Sequence, residues 1–147
     1  MKYHLLSIVL LVIFTSCGKK LTGETPRTDI GVGDTVYLES GVKYVFNVMS
    51  EDTVSIVAGT SVTTHINLEV NDSIVWSTYG PPLRPFGFVY MQDRMIDGFN
   101  EVIAYLKSGD RVTAIIPPEL GYGSQGAGET IPPNAVLQFD IEVISIN

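Results

Sequence analysis

Cysteine and histidine are almost missing from this chain: 147 residues hold one Cys, Cys17, and two His, His4 and His65. One cysteine cannot close a disulfide within the chain, and no Cys/His set stands at the spacing of a zinc-type site. His65, in a strand-like stretch, reads as a surface or strand-packing residue. Basic residues are scarce too, with 9 Lys+Arg against 16 Asp+Glu and a formal charge of −7. An acidic surface without a Lys/Arg cluster excludes nucleic acid as a partner. No apolar run approaches the roughly 20 residues of a membrane-spanning helix. The glycines between 121 and 128 lack the following Lys-Ser/Thr of a phosphate loop.

What the chain does have begins at residue 1. Met1-Lys2-Tyr3-His4 is a short basic start, and Leu5 to Phe14 is an apolar core of the length found in export signals. The small pair Thr15-Ser16 and Cys17 follow, an arrangement that resembles a bacterial lipoprotein box. That resemblance implies cleavage after residue 16, lipidation of Cys17 and a membrane anchor in the bacterial cell envelope. From Gly18 to about Thr35 the chain is polar and broken by Gly23, Pro26, Gly31 and Gly33, the composition of a flexible tether. The expected division is therefore a signal over 1–16, a lipidated cysteine and tether over 17–37, and a folded domain over 38–147.

Within that domain the apolar pattern is mostly that of strands. Val42–Val48, Ser61–Val70, Ile74–Trp76, Phe86–Tyr90 and Arg111–Ile116 have β-branched and aromatic content, and Asn71-Asp72 suits a hairpin turn. Leu137, Phe139, Ile141 and Val143 alternate along one face of a last strand. One segment differs: Ile96, Phe99, Val102, Ile103 and Leu106 recur at helical steps, ending at Ser108-Gly109 with Lys107 beside the negative end of the helix dipole. Asp93, Arg94 and Asp97 read as dipole and surface charges. One short helix on an antiparallel sheet is an α+β architecture.

The stretches Pro117-Pro118-Glu119-Leu120-Gly121-Tyr122-Gly123, Ile131-Pro132-Pro133-Asn134-Ala135 and Leu137–Val143 form a strand end, a glycine loop with a tyrosine, a Pro-Pro corner and a final strand. This order resembles the C-terminal third of the FKBP-type peptidyl-prolyl isomerases, the macrolide-binding immunophilins. Pro85-Phe86-Gly87-Phe88 is similar to that family's pocket-wall strand, Met95-Ile96-Asp97-Gly98-Phe99 to the start of its helix, and Glu39–Tyr44 to the first strand of bacterial members. The resemblance implies a strongly twisted antiparallel sheet wrapped around one short helix.

It also implies a site. Phe99, Ile96 and Tyr122 would act on the substrate, Phe99 beneath the proline ring, the Ile96 N–H and the Tyr122 hydroxyl on the flanking carbonyls. Trp76, Phe86, Met95, Ile131 and Phe139 would wall the pocket. Ile66 stands where the family has a tyrosine and Ser77 where it has an acidic residue, so the pocket's polar edge is expected to be apolar and macrolides to bind poorly. The implied activity is isomerisation of X–Pro bonds in proline-containing polypeptides during envelope protein folding, without cofactor or metal. Two alternatives stay open: an FKBP-like binding or chaperone module with weak turnover, and an accessory lipoprotein of a surface machine such as that of gliding motility.

Overall fold

The computed structural model describes residues 27–147; the signal, Cys17 and the first part of the tether lie outside the described residues. The strands are β1 (Thr35–Tyr37), β2 (Lys43–Val48), β3 (Ser61–Val70), β4 (Ser73–Ser77), β5 (Phe86–Val89), β6 (Arg111–Ile116) and β7 (Leu137–Ile146), with one α-helix, α1 (Asp97–Ile103), between β5 and β6. They form a single sheet in the order β1-β2-β6-β7-β3-β4, with β5 also on β3, and every pairing is antiparallel. The α+β expectation holds. Among the described residues no helix is long and apolar enough to cross a membrane.

The alternation read from the sequence sets which face is buried. Val62, Ile66, Leu68 and Val70 of β3, Leu137, Phe139, Ile141 and Val143 of β7, and Val112, Ala114 and Ile116 of β6 all point into one core. Phe99, Val102 and Ile103 of α1 complete it from the other side. At the β3–β4 turn, Asn71 and Asp72 take φ of 50° and 59°, the left-handed pair of a two-residue hairpin whose twist matches the strands it joins.

The strands β4 and β5 share one edge of β3. Asn67–Val70 pairs with β4, and Ser61–Thr64 pairs with β5. The chain between them leaves the sheet at Thr78, a buried residue whose N–H donates to the Ile66 carbonyl (2.9 Å) and whose hydroxyl accepts from the Ile66 N–H (2.8 Å). Next to it, Tyr79 stacks on His65 at 4.8 Å and donates to Glu142 Oε2 at 2.9 Å. Burial and that carboxylate push the Tyr79 hydroxyl above its ordinary pKa. His65 is thus a packing residue.

Two features depart from the sequence reading. The helical periodicity runs to Leu106, but α1 ends at Ile103, because the Tyr105 and Leu106 N–H groups bond three residues back in a tighter winding. Lys107 does not serve the helix end; its ammonium bonds the Thr53 carbonyl (3.2 Å) and Ser55 Oγ (2.7 Å). Residues 27–37, assigned to the tether by composition, are docked on the domain. Arg27 pairs with the fully buried Asp110, donates to the Ser50 carbonyl (3.2 Å), and lies 5.1 Å above the Phe46 ring. Asp110 also accepts from the Ser50 and Lys107 N–H groups, at 2.8 and 2.7 Å. The segment is held by this satisfied buried carboxylate together with the β1–β2 pairing and the core burial of Val36, and the carboxylate is the part that hydrophobic patterning does not reveal.

Helix α1 reaches the sheet through Gly98. A Cβ at that position would collide with Ile116 Cγ2 and stand 3.2 Å from the Leu120 carbonyl oxygen. Gly98→Ala is expected to cost about 1–3 kcal/mol by overpacking, measured by urea denaturation; an unchanged midpoint would show that helix and sheet are not so closely seated.

Candidate functional site

At the N-terminal end of α1 the core is left open, and a cavity of about 980 Å³ enters it. Phe99 and Phe139, 3% and 5% exposed, lie at its base with ring centroids 5.5 Å apart. The rings continue outward: Phe88 meets Phe99 at 5.5 Å, Phe86 stacks on Phe88 at 5.6 Å, and Trp76 meets Phe86 edge to face at 5.5 Å. Phe88 is buried behind the wall and fixes both of its neighbours. Aromatic pairs at these separations are mutually attractive in offset or edge-on geometries, so the wall is a braced surface.

Each element contributes to the lining for a local reason. Ile66 and Leu68 are two apart on β3 and so share its inner face. On β4, Trp76 pairs with Leu68 but Ile74 with Glu69, so Val75 is the extra residue of a bulge, and both Val75 and Trp76 line the cavity. Met95 and Ile96 lead into α1. Ile96 has extended backbone (φ −68°, ψ 147°), and its carbonyl accepts the Phe99 and Asn100 N–H groups at 3.1 and 3.2 Å. Its own N–H has no partner among the described residues.

Above the cavity runs the loop from Pro117 to Ile131. Its closures are internal: Ala127 and Ile131 exchange N–H···O bonds of 2.9 and 3.1 Å, Gly126 N–H donates to the Tyr122 carbonyl (3.2 Å), and Asn134 N–H donates to the Gly123 carbonyl (2.8 Å). Tyr122 sits between two short 3-10 turns, Pro118–Leu120 and Gly123–Gln125, and lines the cavity. Its hydroxyl bonds no group among the described residues, so it is available as a donor.

Of the residues singled out in the sequence, Ile66, Trp76, Phe86, Met95, Ile96, Phe99, Tyr122, Ile131 and Phe139 all line this cavity. Ser77 does not. Its hydroxyl donates to Asn67 Oδ1 (2.6 Å) and accepts the Tyr79 N–H (3.1 Å), and it lines a second, smaller cavity beyond Trp76. Sequence reasoning missed Leu68, Val75, Arg94, Asp97, Gln125 and Thr130. The alternation from Ile66 carries a signal for Leu68, whereas a bulge leaves none for Val75. Arg94 and Asp97, read as ordinary surface charges, are exposed on the cavity rim without an ion-pair partner among the described residues.

A profile of the family described as FKBP-type peptidyl-prolyl cis-trans isomerase matches residues 52–144. The chain belongs to this family. FKBP relatives are found across kingdoms. A probable FKBP-type peptidyl-prolyl cis-trans isomerase of Haemophilus influenzae is 47% identical over 58 residues, 40% of this chain and 24% of that protein. FK506-binding protein 2 of Dictyostelium discoideum is 31% identical over 145 residues, 99% of this chain and 97% of that one. An FK506-binding protein of Neisseria meningitidis serogroup C is 30% identical over 90 residues, 61% of this chain and 83% of that one. The chain thus matches about a quarter of the Haemophilus FKBP but nearly all of the Dictyostelium protein. Among the described residues no group of three or more His, Cys, Asp or Glu is placed to hold a metal ion.

Within this FKBP loop, Gly126 has φ of +65°, and a Cβ there would collide with the Ile131 carbonyl oxygen. Gly126→Ala combines that clash with about 1–3 kcal/mol of strain, because its backbone (φ 65°, ψ −161°) lies in a positive-φ extended region open essentially to glycine alone. Hydrogen exchange at the Ala127 and Ile131 amides should accelerate more than in β6 and β7. Equal protection in variant and parent would show that the loop does not depend on this glycine.

Proposed function

We propose that the cavity binds proline within a polypeptide and catalyses cis–trans isomerisation of the preceding peptide bond. The observation that carries this reading is the aromatic-floored cavity with two unpaired donors at its margin, the Ile96 N–H and the Tyr122 hydroxyl. Turning an X–Pro bond breaks no covalent bond, but amide resonance sets a barrier of about 18–20 kcal/mol. At the top of that barrier the amide has lost its resonance and part of its charge separation. An apolar site tolerates this less polar species better than the planar one, which is selective binding of the transition state. A 10⁴-fold acceleration requires about 5.5 kcal/mol of such preference.

In this mechanism the Phe99 ring supports the pyrrolidine, Phe86, Trp76 and Phe139 enclose it, and the two donors hold carbonyls of the client on either side of the rotating bond. No proton is transferred and no nucleophile is consumed. Ile66 at the base of the cavity adds apolar surface where a polar partner would compete for the amide. It also supports a second reading, a groove that binds proline segments with weak turnover. A protease-coupled or NMR exchange assay with X–Pro peptides separates the two. Acceleration well above background supports the isomerase, and background rates with retained peptide binding support the binding module.

Tyr122→Phe removes one hydrogen bond to the client and none within the described protein. It is expected to lower kcat/KM about 2- to 10-fold and to leave the unfolding midpoint unchanged; full activity would remove the hydroxyl from the mechanism.

The N-terminal pattern supports the further proposal that the protein is exported, lipidated at Cys17 and anchored in the bacterial envelope, where it serves the folding of exported proteins. Cys17→Ala is expected to shift the protein from the membrane to the soluble fraction. Continued membrane partitioning of the variant would mean that another feature tethers it.

A further inference from the structure

The loop from Thr78 to Pro85, exposed from Gly80 onward, borders a second cavity of about 380 Å³ that is open to solvent, lined by Trp76, Phe86, Arg84 and the prolines 81, 82 and 85 among others. Trp76 and Phe86 line the main cavity as well, so this edge-to-face pair forms a partition between the two. We propose that the second cavity is a subsite for the client segment flanking the proline, and that Arg84 gives it a preference for a carboxylate side chain. The proposal rests on the reading of the main cavity as the proline site.

Reach, rigidity and charge support it. Two residues of extended chain span about 7 Å, enough to pass from one side of an aromatic ring pair to the other. The loop is held before any client arrives. Thr78 is bonded to β3, Tyr79 is clamped by His65 and Glu142, and the Arg84 N–H returns to the Thr78 carbonyl at 3.3 Å. Its three prolines have fixed φ, so little conformational freedom remains to be lost on binding. Arg84 is the one charged residue lining this cavity, and its guanidinium has no hydrogen-bond or ion-pair partner among the described residues. In a chain of net charge −7 it offers a cation beside otherwise neutral walls. A planar guanidinium with free donors is suited to a carboxylate, which it can hold through two hydrogen bonds.

Trp76 is the only tryptophan of the chain and stands in the partition, so its fluorescence reports peptide binding without any need for turnover. The test titrates the full-length protein with blocked alanine hexapeptides containing one proline, and with Glu, Gln or Lys placed in turn at each flanking position. At one or two positions, Glu is expected to bind about fivefold tighter than Gln, with Lys weakest. Arg84→Gln should bring the Glu-to-Gln ratio close to one, while Arg84→Lys should keep part of it. A ratio near one at every position in the parent overturns the subsite, as does a Glu preference that survives Arg84→Gln. Isomerisation of the all-alanine peptide, assayed separately, tests the main cavity. A protein that turns that peptide over without a Glu preference keeps the isomerase reading and loses the subsite. A protein that binds no peptide of the series loses both.

Discussion

The packing of Phe99 between Phe88 and Phe139, at 5.5 Å on either side, is the constraint on which the rest of the molecule depends. The ring belongs at once to the core, from which it excludes water, and to the cavity, whose base it forms. It can do both because α1 is short: Gly98 seats it against Ile116 of β6, and Val102 and Ile103 at its far end are fully buried in the core. The N-terminal end of the helix has no such filler. The space there is closed from above by a loop that bonds to itself and not to the rings below. A hollow therefore persists at a point where an ordinary core would have collapsed, and the rings around it are held by neighbours deeper in the protein.

That arrangement accounts for the chemistry attributed to the site. In the proposed mechanism, braced aromatic walls cannot reorient to solvate a polar group, and the cavity would thereby disfavour the charge-separated planar amide without an acid, a base or a metal. The two available donors at its margin are fixed by backbone geometry: the Ile96 N–H because its residue precedes the first helical turn, and the Tyr122 hydroxyl because its loop is tied at both ends. Positioning is thus set by the fold, while the selectivity comes from the surface it presents. The charges that do line the cavity, Arg94 and Asp97, are at the rim, where they can affect the residues on either side of a proline without entering its socket.

Much of this was legible in the amino-acid sequence, for identifiable reasons. Loose alternation in β3 and regular alternation in β7 named the buried face, Asn71-Asp72 named the hairpin turn, and the family resemblance of the Gly-Tyr-Gly loop with its Pro-Pro corner named the flap. Nine of the residues that the family resemblance assigned to the pocket line the cavity, because the sheet, helix and loop that carry them fold in the order the resemblance implies. The misses have physical causes as well. A bulge shifts register by one residue without a compositional mark, which concealed Val75. Ser77 followed from position in a family pattern, but on a strand the residue after an inward Trp76 faces away. The docking of Arg27 was hidden because a buried aspartate holds it, whereas Val36 of the same segment is an apolar core residue on a paired strand. Electrostatic attachment of this kind depends on partners far apart in the chain, and local pattern carries no trace of it.

The central claim is that the pyrrolidine ring of a bound client lies on Phe99 inside the aromatic cavity. An isotope-filtered NMR experiment on the labelled protein with an unlabelled Ala-Pro peptide tests it most directly. The expected result is strong cross-relaxation from the proline ring protons to the Phe99 and Phe139 rings in both the cis and trans bound forms. Contacts confined to Trp76, Tyr79 or the outer face of the sheet, with none to Phe99, would contradict it.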